Sequence, residues 1–205
     1  RVISQLIVNI LRVFLIRKMM ELFLPAVDEN GKKIGIGFVS YYLLTIVLYS
    51  MFNISVLYGF CNYLAIAGLT LFYQGTWKKR VWVSLAIFAI DLACALAVYF
   101  AFSQIPIGHR QALQTLLLLI CATLISHIAY PADSREIVFD KRQTCILLMI
   151  PAASVFILCV LLYGRYEGMA AMLICISILI INLGIFYLYH MMAENYRNLR
   201  DNDIY

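Results

Sequence analysis

The chain has 205 residues, of which 64% are hydrophobic and 13% charged, with a mean hydropathy of +0.89. A water-soluble domain of this size cannot hide so much apolar surface, so the composition excludes one and points to an integral membrane protein. The net charge of +5 is spread over connections rather than gathered in a soluble domain, so it speaks to orientation in a bilayer and not to a nucleic-acid partner.

The hydropathy pattern predicts seven apolar segments. The first covers Val2 to Leu24 and is interrupted by Arg12 and by Arg17-Lys18. It is not a cleavable signal peptide, because a charge lies inside the apolar run and no small-residue cleavage site precedes the later charges. A polar loop from Asp28 to Lys33 follows. Phe38 to Tyr73 is too long for one span: its 36 residues would reach about 54 Å against a hydrocarbon core of about 30 Å. Two short helices are expected there, turning near Asn53-Ile-Ser55 or at Gly59. Thr76-Trp-Lys-Lys-Arg80 reads as a tight basic connection, Val81 to Phe102 as the fourth segment, and Ser103 to Gln111 as a turn. Ala112 to Tyr130 is the fifth segment, Pro131 to Gln143 the longest polar loop, and Thr144 to Tyr163 the sixth segment. Gly164 to Gly168 closes the last hairpin. The connections are short, so the helices form a compact antiparallel bundle.

The last stretch, Met169 to Tyr205, begins as a membrane span and becomes polar after His190. No Pro or Gly occurs after Gly184, so nothing stops the helix at the membrane surface. One rod of about 55 Å is expected, longer than the bilayer core. Tyr189, Met192, Tyr196 and Leu199 follow the 3-4-3 spacing of a helix-pairing seam, although two repeats are few for a coiled coil. Two readings stand: a membrane helix with a polar tail, or a rod that carries a signal out of the membrane. The chain starts without Met and ends inside the pattern, as expected for a segment of a larger protein.

Lys and Arg set the expected orientation. With the C-terminus in the cytoplasm, the inner side holds Arg17, Lys18, Lys32, Lys33, Lys78, Lys79, Arg80, Arg135, Lys141, Arg142, Arg197 and Arg200. The outer side holds only Arg1, Arg110 and Arg165. This bias places the C-terminus inside and, with seven spans, the N-terminus outside. If the first segment lies on the inner face, the count falls to six. The expected fold is thus an all-α, polytopic membrane helix bundle of six to seven transmembrane helices, the last extending into the cytoplasm.

Few residues carry chemistry. Asp91 sits mid-way along the fourth segment, where a bare carboxylate costs several kcal/mol, and Arg12 lies at a comparable depth in the first. An Arg12–Asp91 pair is expected, either to hold helices together or to act as a switch. Ala89, Ala93, Ala97 and Ala101 form a small-residue stripe, suited to close packing or to a dimer interface. The six cysteines lie in or beside apolar runs with no CxxC pair, and the three histidines are scattered, so neither a disulfide framework nor a metal site is expected. A ligand recognised from outside would meet the outer hairpins and outer helix halves, with Asn53, Ser55, Tyr58, His109, Arg110, Arg165, Tyr166 and Glu167 as candidate contacts. A bland reading as interfacial anchors and turn residues stands beside it.

Ser40-Tyr-Tyr-Leu-Leu-Thr-Ile-Val-Leu-Tyr-Ser-Met-Phe-Asn-Ile-Ser, Tyr73-Gln-Gly-Thr-Trp-Lys-Lys-Arg80 and the exit Tyr187-Leu-Tyr-His-Met-Met-Ala-Glu-Asn-Tyr resemble the membrane sensor half of AgrC-like receptor histidine kinases. These kinases carry a GHKL-type ATPase domain, and the resemblance covers essentially the whole chain. It implies a homodimer in the cell membrane that detects an outer signal, often a secreted peptide. It also implies a dimerisation helix with a phosphoacceptor histidine, a domain that binds ATP and Mg, and a response regulator as partner. None of that catalytic machinery is in these residues; His190 lacks the His-Asp-x-x-Asn context and is not the phosphoacceptor. On this reading residues 1–189 are the transmembrane sensor domain and 190–205 the start of the signalling helix. The contrasting expectation is a small membrane transport subunit, which predicts a deep polar pocket. A membrane-embedded peptidase is a third, requiring His and Cys or paired carboxylates at one depth.

Overall fold

The computed structural model describes residues 2–25, 32–52, 56–128, 141–164, 166 and 168–202. Among them the chain is entirely helical: α1 (Val2–Phe23), α2 (Lys32–Phe52), α3 (Val56–Leu69), a 3₁₀ turn (Thr70–Phe72), α4 (Trp77–Ala101), α5 (Ile107–Ile128), α6 (Lys141–Tyr163) and α7 (Gly168–Asn202). The long apolar run divides between α2 and α3 across residues 53–55, which lie outside the described residues. Gly59, the other expected turning point, sits inside α3.

Two sequence expectations are corrected. The basic stretch after Thr76 is not a connection but the first turn of α4. The Thr76 hydroxyl accepts the Lys79 backbone N–H at 3.4 Å, and an N-cap of that kind lets the helix begin four residues before the apolar run. Likewise α5 begins at Ile107, so His109 and Arg110 belong to a helix rather than a turn. The Pro106 carbonyl accepts both the His109 and Arg110 backbone N–H groups, at 3.0 and 3.2 Å. Gly75 has a φ of +144°, a conformation open to glycine, and turns the chain from the 3₁₀ segment into α4.

Helix α4 is the axis of the bundle. It packs against α1, α3, α5, α6 and α7. Its buried positions run around the whole helix from Trp82 to Val98, as expected of a helix apolar on every face. Ala89, Ala93 and Ala97 are buried within the chain, so that part of the small-residue stripe serves packing inside the protomer, while Ala101 is exposed. Helix α1 runs the length of the bundle: Val8 and Asn9 reach the end where Arg110 lies, and Phe23 reaches the end where Trp82 lies.

Helices α4 to α7 are long and apolar enough to cross a membrane, and the apolar stretch Leu57–Phe72 is shorter. Large apolar side chains point outward around the bundle, among them Ile7 and Phe14 on α1, Ile36 and Leu43 on α2, Leu116 on α5, Phe156 on α6 and Ile180 on α7. Surface of this kind is stable against lipid tails and not against water. The protein is therefore a polytopic helical membrane bundle.

At the end of the bundle that carries Lys78, Lys79 and Arg80, four rings from three helices pack together. Trp82 of α4 stacks on Tyr189 of α7 with centroids 4.7 Å apart, and Phe23 of α1 meets Phe186 of α7 at 4.8 Å. Beyond this cluster α7 continues unbroken to Asn202, giving 35 residues and about 52 Å of helix. Replacing Phe186, which is fully buried, by Ala should cost about 3–5 kcal/mol. Denaturant unfolding of the purified protein in micelles checks this. A loss below about 1 kcal/mol would mean that the cluster does not hold α7.

Candidate functional site

The chemistry of the interior is concentrated around Asp91, mid-way along α4. Its carboxylate faces α1, where Arg12 answers it through two guanidinium nitrogens. Arg12 Nε donates to Oδ1 at 2.9 Å and Nη2 donates to Oδ2. This fork geometry satisfies both carboxylate oxygens at once, which a lysine would not do. Asn62 of α3 and Gln114 of α5 add longer donations to the carboxylate, each at 3.5 Å. Tyr41 of α2 donates to the Asn62 carbonyl oxygen at 2.8 Å, and Arg12 Nη1 donates to the Tyr58 hydroxyl at 3.4 Å. Five helices thus contribute to one polar network.

The network is needed because both charges are withdrawn from water. The Asp91 side chain is 2% exposed and that of Arg12 12%. A charge at that depth survives only when paired and hydrogen-bonded, and here every carboxylate lone pair has a nearby donor. Arg12 keeps its remaining accessibility on one side, toward a cavity.

That cavity has a volume of about 520 Å³ and lies between α1, α3, α4, α5 and α6, at the end of the bundle away from Lys78 to Arg80. Arg12, Asp91, Asn62 and Gln114 line its deep part. Phe88, Leu92, Leu96, Leu161 and Leu162 give it apolar walls, and Arg110, Tyr99, Tyr163 and Tyr166 stand toward its mouth. The Arg110 guanidinium lies 5.6 Å from the Tyr99 ring centroid, and its Nε is buried without a hydrogen-bond partner. A cleft of this size, mostly apolar with a few convergent polar groups, suits a small organic molecule or the end of a peptide. No group of three His, Cys, Asp or Glu side chains that could hold a metal occurs among the described residues.

Of the residues expected from sequence to meet an outer ligand, Tyr58, Arg110 and Tyr166 line this cavity. His109 is exposed and does not. Asn53, Ser55, Arg165 and Glu167 lie outside the described residues. In the expected seam, Tyr189 is a correction: it is 4% exposed and packs against Trp82 and Phe23 of its own chain, so it is not free to face a second rod. Met192 is half-buried, and Tyr196 and Leu199 are exposed.

No family model, curated protein or solved structure matches this chain.

The site therefore rests on its own geometry. Sequence reading passed over Asn9, Tyr41, Asn62, Gln111 and Gln114. Their signal was available: four amides and one phenol within or at the edge of long apolar runs, where each needs a partner. A second polar link was missed in the same way. Asn182 of α7 donates to the Ser154 hydroxyl of α6 at 2.8 Å, deep between the helices. Replacing Asp91 by Leu alone should destabilise the fold by about 3–5 kcal/mol, because it leaves Arg12 buried and unpaired. Replacing both Arg12 and Asp91 by Leu should recover most of that. Unfolding midpoints of both single variants and the double variant check the coupling; a double-variant loss equal to the sum of the two single losses would show that the two side chains do not depend on each other.

Proposed function

We propose that this chain is the membrane sensor module of a two-component histidine kinase. It sits in the cell membrane as a homodimer, with the C-terminus cytoplasmic and the N-terminus extracellular. It detects an extracellular signal, a secreted peptide, and passes it through α7 to a cytoplasmic kinase that binds ATP and Mg and serves a response regulator. The chain itself supplies recognition and transmission, not catalysis.

The observation that carries this reading is the path from cavity to rod. Helix α4 lines the cavity with Phe88, Asp91, Leu92 and Leu96, and also packs along α7. Helix α7 then runs past the bundle with Met192, Tyr196 and Leu199 on the stripe that continues its packed face. The cavity lies at the end opposite Lys78, Lys79 and Arg80, and a positive inner face makes that the outer end. A ligand that fits one arrangement of these helices better than another shifts the equilibrium between them.

One observation favours a second reading, a small membrane transport subunit: the cavity is deep and has a polar floor, as a substrate pocket would. The two readings part at the rod. Cysteine crosslinking in native membranes, scanned from Tyr189 to Asn202 in a Cys-free background, should give peaks at Met192, Tyr196 and Leu199 and none at Tyr189. A flat profile would remove the paired rod and leave the transport reading.

A further inference from the structure

Taking the cavity as the sensor's ligand site, we propose that it binds an amphipathic organic anion: a carboxylate on an apolar body, with the carboxylate held by Arg110. Among the described residues, three formal charges line the cavity: Arg12, Asp91 and Arg110. Arg12 and Asp91 neutralise each other through their fork of hydrogen bonds. Arg110 is left as the uncompensated cation, with no carboxylate within ion-pair distance among the described residues.

Its surroundings make that charge available to a ligand. The guanidinium is braced over the Tyr99 ring, and its Nε is buried with no acceptor. A guanidinium offers a planar fork that matches a carboxylate, and low-dielectric walls strengthen the attraction. Below Arg110, Leu92, Leu96, Leu161 and Leu162 form an apolar wall on the α4 and α6 side. Gln114 lies on the same face of α5, one helical turn deeper, and with Asn9, Gln111 and Thr115 it supplies uncharged polar groups on the way to the Arg12–Asp91 floor. A molecule that is charged at one end and apolar along its length matches this order of groups. A neutral apolar ligand would leave the cation unanswered, and a cationic one would be repelled.

An alkyl carboxylate and the C-terminal end of a hydrophobic peptide both have this chemistry. The test titrates the full chain in phosphatidylcholine nanodiscs by calorimetry, with empty nanodiscs as the partitioning baseline. The probes are decanoate and acetyl-Phe-Leu-Leu carboxylate, each beside its uncharged amide. At least one acid should bind saturably and about ten-fold more tightly than its amide, the scale of one charge-assisted hydrogen-bond pair. Whichever acid does so identifies the source. Arg110→Gln should erase the preference for acid, Arg110→Lys should keep most of it, and Ala95→Phe, which fills the cavity, should abolish binding of both forms. Equal binding of acid and amide, or an acid preference that survives Arg110→Gln, overturns the anion. If that binding is still blocked by Ala95→Phe, the cavity remains the ligand site. No saturable binding of either acid also overturns the proposal, while the crosslinking profile of α7 decides the sensor reading by itself.

Discussion

The Arg12–Asp91 pair is the constraint on which the arrangement of this bundle depends. In a bilayer, apolar faces gain little by choosing one neighbour over another, because lipid tails are as apolar as leucine. A buried carboxylate has no such freedom. Asp91 must find donors at its own depth, and Arg12 on α1 is the cation that can reach it. Once the two meet, the rotation of α1 about its axis and its height against α4 are set. Asn62 and Gln114 then fix α3 and α5 around the same carboxylate, and Tyr41 brings in α2 through Asn62. The polar network contributes specificity of packing more than net stability.

The other side of α4 is held differently. Helices α6 and α7 meet it through apolar and aromatic side chains, with the Ser154–Asn182 hydrogen bond as a polar link between those two helices. Pro151 lies inside α6 and removes one backbone donor, yet the helix runs on through Tyr163. A membrane bundle tolerates this where neighbouring helices and hydroxyls restore the lost partners. Two kinds of packing therefore meet on one helix. The directional, polar kind surrounds the cavity, and the non-directional kind holds the rod.

Much of this was legible in the sequence for a simple reason. Apolar runs of span length separated by short polar connections have one physical solution, so helix number and order followed directly. The continuity of α7 followed from the lack of any breaker after Gly184. The meeting of Arg12 and Asp91 followed from depth alone, since each is an expensive charge at a similar level. What escaped was local or long-range. The start of α4 was missed because its basic first turn hides a Thr76 cap, and hydropathy does not see caps. Asn62 was passed over because it is a single polar residue in an apolar pattern, and Gln111 and Gln114 because they lie where a polar turn was expected to give way to an apolar run. Their convergence depends on how α3 and α5 rotate about α4. Tyr189 was read from spacing as a partner for another chain, but spacing only says which face a residue shares. Trp82, far away in sequence, decides that this face is already covered.

The position of the aromatic cluster along α7 has a mechanical consequence. Tyr189 lies about 32 Å from Gly168 and about 20 Å from Asn202 along the helix axis. Rings packed there act as a fulcrum for a stiff lever, with the longer arm in the bundle and the shorter arm beyond it. A tilt of the long arm arrives at the far tip reversed and reduced to about 0.6 of its size, by the ratio of those lengths. Torsion about the helix axis suffers no such loss, since every residue of a rigid rod turns through the same angle. Between tilt and twist of α7, twist is the one this geometry transmits undiminished.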